Sequence, residues 1–372
     1  MNDTRKGLLI YNQIDYEKNK WFVNELITTA PKFGLDLSLS LRENLILTIE
    51  NGKFLASLLS DLSPTSSPAS SDLSPTSSPA SSNLSPTSSC TVQDLSPSQS
   101  ASNISPDLSL TPSCAVQNLS PITLDEQTDS STGTQSEVSP KHLLSTIDVD
   151  FVINRTRDTI VATHFEKMGC RVFNNANVTE LCNHKGKTHQ LVNGASIPSV
   201  KTLLGNVHYF TPSMLPFDYP VILKAVSGHG GSEVFKINNE AELTKALHTL
   251  RTEDFVLQEL CTNPGIDVRV FTLGKKILAA VKRTSASSFK SNYSLGGSAT
   301  AYTLNPQEEA LVNQILNLAD FDFVGIDFIF NKEGQFLFNE IEDVVGTRTL
   351  YLNYDFNVVA LFLEYIAATL SK

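Results

Sequence analysis

"VGIDFIFNKEGQFLFNEIEDVVG", residues 324–346, contains two apolar runs, and both carry carboxylates. An unpaired charge among Phe, Ile, Leu and Val is costly to bury, so Asp327, Glu340 and Glu342 need compensation. Asn331-Lys332-Glu333-Gly334 reads as a turn joining two strands, 323–330 and 335–342. A short turn there sets Asp327 opposite Phe338 and Gly325 opposite Glu340. Cross-strand partners share a face, and so do residues two apart. The three carboxylates therefore occupy one face, with Glu340 between the other two. That face either meets lysines and arginines as ordinary ion pairs, or holds a pair of Mg²⁺ ions that Glu340 bridges, an arrangement that clamps a polyphosphate. Mn²⁺ suits the same oxygen ligands.

A place for the phosphates lies upstream. In "YPVILKAVSGHGGSEVFKI", 219–237, a strand runs into Gly228, Gly230 and Gly231 and out into a second strand. No Gly-Lys-Ser/Thr follows, which excludes a Walker A loop, and no helix follows, which excludes a dinucleotide fingerprint. Glycines at such a turn bring backbone N–H groups close to an anion, and Lys224 adds a point charge. A plain hairpin turn would leave the same pattern. In "FVLQEL" and "IDVRVFTLGKKILAAVKR" the charges of Asp267, Arg269, Lys282 and Arg283 alternate with apolar residues, an arrangement expected to expose them.

Composition sets the outer limits. The chain has 372 residues, enough for two or three domains, and a formal net charge of −11. Eight of the eleven excess negative charges fall between 60 and 140, which holds no Lys or Arg, so the remainder is nearly balanced. Five scattered cysteines without a Cys-x-x-Cys pair argue against a disulfide framework or a zinc site. No stretch reads as a signal peptide or a bilayer span, so a cytoplasmic protein without a membrane or nucleic-acid partner is expected. Self-association stays open.

Between 60 and 140 Ser, Thr and Pro dominate, and "DLSPTSSPASS" at 61–71 recurs at 72–82 before decaying. A period of eleven suits a right-handed coiled coil, but two prolines and one leucine per unit defeat it. Too little apolar surface is available to offset chain entropy, so disorder is expected, either as a passive insertion or as a docking or modification site. Its flanks read as one parallel α/β domain, 1–59 with 141–176. "LLIYN", "LDLSLSL", "DFVIN" and "CRVFNN" supply strands, Phe22 to Ala30 and "TIVATHFEKMG" supply helices, and Asn51-Gly52 turns a hairpin. "VTELCNHKGKTHQLVNG" reads as a single polar helix. The remainder, 177–372, divides into a central part, about 205–260, and a C-terminal part, about 261–372.

In this order the segments "NHKGKTHQLV", "VILKAVSGHGGSEV", "LQEL…GIDVRVFTLGKKILAAVKR", "FKSN…GG" and "GIDFIF…FNEIE" resemble the ATP-grasp superfamily of carboxylate–amine ligases. The likeness is to the branch typified by RimK, the glutamate ligase acting on a ribosomal protein, and covers nearly all of the chain except the repeat. The resemblance implies an α/β chain, α+β in its catalytic part, with an ATP-grasp fold behind an interrupted parallel domain. It implies ATP, with Lys185 and Lys224 on its phosphates, Gly228, Gly230 and Gly231 as a closing loop, Gln258, Glu259 and Leu260 at the adenine, and Asp267 toward the ribose. It implies Mg²⁺ on Asp327, Glu340 and Glu342, the last where Asn is usual, so that the γ-phosphate should be repelled more strongly. Arg283, Asn292 and Lys290 (where Arg is common) would stabilise the acyl phosphate and orient the transferring group. Arg348 and Arg155, with Arg157, are candidates for the substrate, a small amino acid, a peptide or a protein tail. A kinase on the same nucleotide site, or a nucleotide-binding protein without turnover, are the rival readings.

Overall fold

The computed structural model describes residues 4–59, 144–285, 289–290 and 297–371. The Ser/Pro repeat, Cys90, Cys114 and Asn292 lie outside the described residues.

The chain opens with β1 (Arg5–Tyr11), α1 (Gln13–Thr29) and β2 (Leu35–Leu41), followed by β3 (Leu45–Glu50), β4 (Lys53–Leu59) and β5 (Leu144–Thr146). Then come β6 (Phe151–Asn154), α2 (Thr159–Lys167) and β7 (Arg171–Phe173). Strands β2-β1-β6-β7 form a parallel sheet in that order, and β3-β4-β5 form a small antiparallel one. Asn12 starts α1 by accepting the backbone N–H of Asp15, and Asp158 starts α2 by accepting those of Ile160 and Val161. Phe22, Val23 and Leu26 share one stripe of α1 and are buried. Each contributes about 1.5–3 kcal/mol by leaving water.

One polar helix was expected over 178–194, but there are two, α3 (Ala176–Cys182) and α4 (Lys185–Gly194). Asn183 ends the first, and the ring of His184 caps the second by accepting the N–H of Lys187. The break places Lys185 at the start of α4, directed into the protein rather than along an exposed helix face.

Two antiparallel sheets follow. The first has β8 (Thr202–Asn206), β9 (Val221–Ala225), β10 (Val234–Ile237) and β11 (Asp254–Glu259), in the order β10-β9-β11-β8, with α5 (Glu240–Leu247) beside it. The second has β12 (Ile266–Leu273), β13 (Lys276–Thr284), β14 (Ser298–Tyr302), β15 (Phe323–Phe330) and β16 (Phe336–Glu342), in the order β14-β13-β12-β15-β16. The helices α6 (Pro306–Leu316), α7 (Arg348–Asn353) and α8 (Val358–Leu370) complete the order.

The five-stranded sheet decides where the charges go. On one face Val268, Val270, Ile326, Phe328, Phe336 and Phe338 pack against Val312, Ile315 and Leu316 of α6. On the other, Phe271, Leu273, Ala279, Val281 and Phe323 join Leu9, Phe22 and Leu26 of the first domain and Phe362 and Leu363 of α8 in a shared core. Asp267, Arg269, Arg283 and Asp327 continue that second face beyond the apolar end. All four are buried, which for Asp267, Arg269 and Arg283 is contrary to the expectation of exposed charged faces; Lys282 is half-buried.

The ends of the repeat-bearing segment meet in this fold. Leu59 pairs with Leu144 in the antiparallel ladder of β4 and β5. A two-residue Asn-Gly turn should therefore close the chain in place of 60–143. Thermal unfolding of that deletion protein is expected within a few degrees of the full chain. A drop above about 10 °C, roughly 5 kcal/mol for a chain of this size, would show that the segment supports the fold.

Candidate active site

The acidic ribbon is out of the expected register by a bulge. Phe328 pairs with Phe338 and Ile329 with Leu337 near the turn, which is closed by the N–H of Asn331 on the carbonyl of Gln335. Continued regularly, that register would put Asn339 opposite Asp327 and turn Glu340 and Glu342 to the apolar face. One extra residue at Asn339 shifts the ladder, so Glu340 faces Asp327 and Glu342 faces Gly325. The common face foreseen for the three acids is present, but the bulge creates it.

Positive groups neutralise these acids from three directions. The Arg269 guanidinium donates through Nε and Nη2 to both Asp327 oxygens at 2.7 Å, and its Nη1 lies 2.7 Å from Glu342 Oε2. Arg283 grips Asp267 with two bonds of 2.7 and 2.6 Å and reaches Asp327 at 2.8 Å. Lys185 Nζ stands 3.0 Å from Glu340 Oε1. Burial alone would raise the Asp327 carboxyl, but Arg269 and Arg283 outweigh it and hold the group well below the usual carboxylate range. Burial pushes Glu342 up, with Arg269 pulling the other way. The added negative charge of Glu342 lies against Arg269, which it shares with Asp327. Gly325 makes room for this: a Cβ there would lie 3.3 Å from Arg269 Cδ and 2.6 Å from Val345.

Lys224 approaches from the facing sheet, its Nζ donating to Asn339 Oδ1 at 2.9 Å. Burial draws its ammonium down to about 8, against the pull of Glu340. The glycine turn between β9 and β10 is bound at both ends. Lys185 donates to the carbonyl of Gly228 and Lys290 to that of Gly231 at 2.6 Å. Gly230 and Gly231 adopt φ of +63° and +78°, which a side chain would strain.

These groups surround one cavity between the two sheets. Lys185, Lys224, Lys290 and the glycines line it on one side, Gln258, Glu259 and Leu260 along an edge, and Asp267, Asp327, Glu340 and Glu342 opposite. The Gln258 side chain is not offered to the cavity freely, because it is held by His189 at 2.8 Å and Thr202 at 2.9 Å. Burial and Lys224 keep the His189 ring neutral, drawing it down to about 4. Glu259 turns outward to Lys201.

A second cavity meets the first at Lys185, the glycine turn, Glu340 and Glu342. Arg155, Arg157, Arg269, Arg283 and Arg348 line it. Arg157 is paired with Asp15 at 2.9 Å, and Arg348 donates to the carbonyl of Lys18 at 3.0 Å. Asp343, buried beside Asn183, is pushed up to about 6. Sequence reasoning missed Asn339, His189, Asp343 and the counter-ion role of Arg269. The only available signal was the alternation of Asp267, Arg269 and Asp327 with apolar residues.

Two antiparallel sheets closing on such a cavity, behind a parallel α/β unit, define an ATP-grasp fold. Residues 182–366 match the RimK-like ATP-grasp domain, and that domain is what this part of the chain is. Among solved structures, D-cycloserine synthetase DcsG is similar with a TM-score of 0.58 at 9% identity, over 98% of this chain and 99% of that one. A RimK domain ATP-grasp protein from Sphaerobacter thermophilus aligns with a TM-score of 0.55 at 12% identity, over 99% and 100%. N-acetylaspartylglutamate synthase A of Homo sapiens is 29% identical over 220 residues, 57% of this chain and 56% of that protein. Beta-citrylglutamate synthase B of Danio rerio is 30% identical over 57% and 54%. The chain spans about half the length of these curated relatives.

Because Lys224 loses its proton near pH 8 in the free protein, its charge is present at pH 7 and fades above 8. Affinity for Mg-ATP is expected to weaken from pH 7.5 to 9, approaching tenfold per pH unit above 8. Lys224→Arg should flatten that slope in a titration of bound nucleotide, since guanidinium stays protonated.

Proposed function

We propose that the chain is an ATP-dependent carboxylate–amine ligase that forms an amide through an acyl phosphate and releases ADP and phosphate. The observation that carries this reading is the convergence of Lys185 and Lys224, from two separate elements, on the bulged strand that presents Glu340 opposite Asp327. The names of the two synthase relatives, amides of acids with glutamate, support the same reaction class. Residues 1–59 with 141–176 would form the domain preceding the grasp, and 177–372 the catalytic part.

The donor chemistry suits divalent cations, although among the described residues no three acids are yet gathered closely enough to hold one, and Arg269 and Arg283 must yield the Asp327 oxygens to an ion. Asp327, Glu340 and Glu342 offer hard oxygens on one face, and four carboxylates there face four cations, Lys185, Lys224, Arg269 and Arg283. A triphosphate added to so balanced a site would leave it strongly negative, so the nucleotide should enter with Mg²⁺ on those three acids, two ions being the natural number. Bound there, Mg²⁺ would neutralise the β- and γ-phosphates and lower the charge opposing attack.

The rest falls to the protein. Lys185 and Lys224 hold the phosphates, and the N–H groups of the glycine turn cover them once Lys185 and Lys290 exchange its carbonyls for phosphate oxygens. Gln258 to Leu260 edge the adenine and Asp267 the ribose. A substrate carboxylate in the second cavity attacks the γ-phosphorus as the bond to the ADP oxygen breaks. Arg283, fixed by two carboxylates, faces that cavity and stabilises the acyl-phosphate oxygens. An amine then attacks the acyl carbon, phosphate leaves, and the amine proton passes to solvent. The covering turn keeps water from the intermediate. Lys290 and Asn292 assist at the transferring phosphate.

Purified protein with Mg-ATP, a pool of acids and a pool of amino acids and peptides should yield ADP, phosphate and a new amide mass together. Glu340→Gln should lower ADP formation by about 10²-fold or more. AMP release, a phosphorylated product, or turnover unaffected by that substitution would each refute the proposal.

A further inference from the structure

The second cavity contains a cation that, among the described residues, no carboxylate touches. Three arginines are buried among the described residues, Arg155, Arg269 and Arg283. Arg269 and Arg283 each touch two carboxylates. Arg155, 6% exposed, touches none. One Nη donates to the carbonyl of Val345 at 2.9 Å, and the guanidinium lies over the Phe22 ring at 5.5 Å. Its Nε is buried with no hydrogen-bond partner. The nearby acid Asp343 feels the charge of Arg155 but is hydrogen-bonded to Asn183 rather than to the guanidinium, and Arg157 is already paired with Asp15.

A desolvated guanidinium to which no anion is bonded is unfavourable, and an N–H left unpaired adds to that. Such a group persists where a ligand completes it. Arg155 opens on a cavity of about 470 Å³, ample for a small acid. The neighbours it lacks are oxygens with negative charge in a planar pair, which is the geometry a guanidinium fork matches.

The structure assigns Arg155 as the seat of a substrate carboxylate that does not itself react, so that this residue selects among substrates. The inference rests on the ligase reading and deepens it. The carboxylate has two sources: a second acid group on the molecule that is activated, or the α-carboxylate of an amino acid supplying the amine.

The test is Arg155→Gln, which keeps an amide donor for the Val345 carbonyl. Thermal unfolding of wild type and variant is followed with glutarate, L-alanine or butyrate, each with and without a non-hydrolysable Mg-ATP analogue. Wild type should be stabilised by glutarate if the seat serves the activated acid, or by L-alanine if it serves the amine, and in neither case by butyrate. The variant should melt at or above the wild-type temperature without ligand, because an uncompensated charge has gone, and should lose the ligand shift. Arg155→Lys, which keeps the charge but not the fork, should retain part of it. In turnover the KM of the affected substrate should rise about tenfold or more, with kcat within a factor of about three. A variant that melts lower yet keeps the full ligand shift would make Arg155 a structural residue and overturn the assignment, as would a wild type that responds to none of the carboxylates. The binding measurements need no turnover. Loss of the seat is thereby told apart from failure of the ligase reading, which would show as binding without ADP.

Discussion

A chain of alternating charges, Asp267, Arg283, Asp327, Arg269 and Glu342, runs across β13, β12, β15 and β16 beneath the cavities. Each member is held by its neighbours, mostly through paired bonds of 2.6–2.8 Å. Removing one partner from such a buried set leaves the next uncompensated, a cost of about 3–5 kcal/mol. The ladder therefore fixes the relative position of four strands as firmly as their backbone bonds do. It also sorts charge by direction. Asp267 and Asp327 border the first cavity, whereas Arg269 and Arg283 border the second. One wall thus presents acid to the side suited to metal and nucleotide, and guanidinium to the side suited to a carboxylate.

The same face of the sheet explains how so much charge is tolerated. Toward one end it is apolar and continuous with the core that Phe22, Leu26, Phe362 and Leu363 build from both ends of the chain. Toward the other end it becomes ionic. The first domain and the C-terminal sheet are consequently packed through a common core, and Arg155 from the loop after β6 is carried to the second cavity by that packing. The glycine turn, bound by Lys185 and Lys290, links both cavities from above.

Much of this was legible in the residues. Alternating strands and helices at the N-terminus, the Asn51-Gly52 hairpin and the acidic ribbon all follow from periodicity and turn chemistry. These are local signals, and β1–β2 and β6–β7 are each joined through one helix, whereas the pairing of β1 with β6 spans the repeat and was set by tertiary structure. Three readings failed, for tertiary reasons. The helix over 178–194 is broken at Asn183–His184, because the chain must turn to bring Lys185 to Gly228. Asp267, Arg269 and Arg283 on β12 and β13 are buried rather than exposed, since a facing layer covers that end of the sheet, while Lys282 is half-buried. The ribbon is bulged at Asn339, which no count of alternating residues could reveal.

By itself the sequence determined which residue types stand on which strand and that three carboxylates needed compensation. It also contained the lysines Lys185, Lys224 and Lys290 and the glycine turn that gather in the first cavity, and the family resemblance named them. Only the tertiary structure decided what compensates the acids: Arg269 and Arg283, which sequence alternation could not tell from solvated charge. It alone showed that Glu342 meets Arg269 and that Arg155, among the described residues, touches no carboxylate. The physical reason is that charge compensation depends on distance and burial between strands far apart in the chain. Periodicity reports only the face of the strand on which a residue sits.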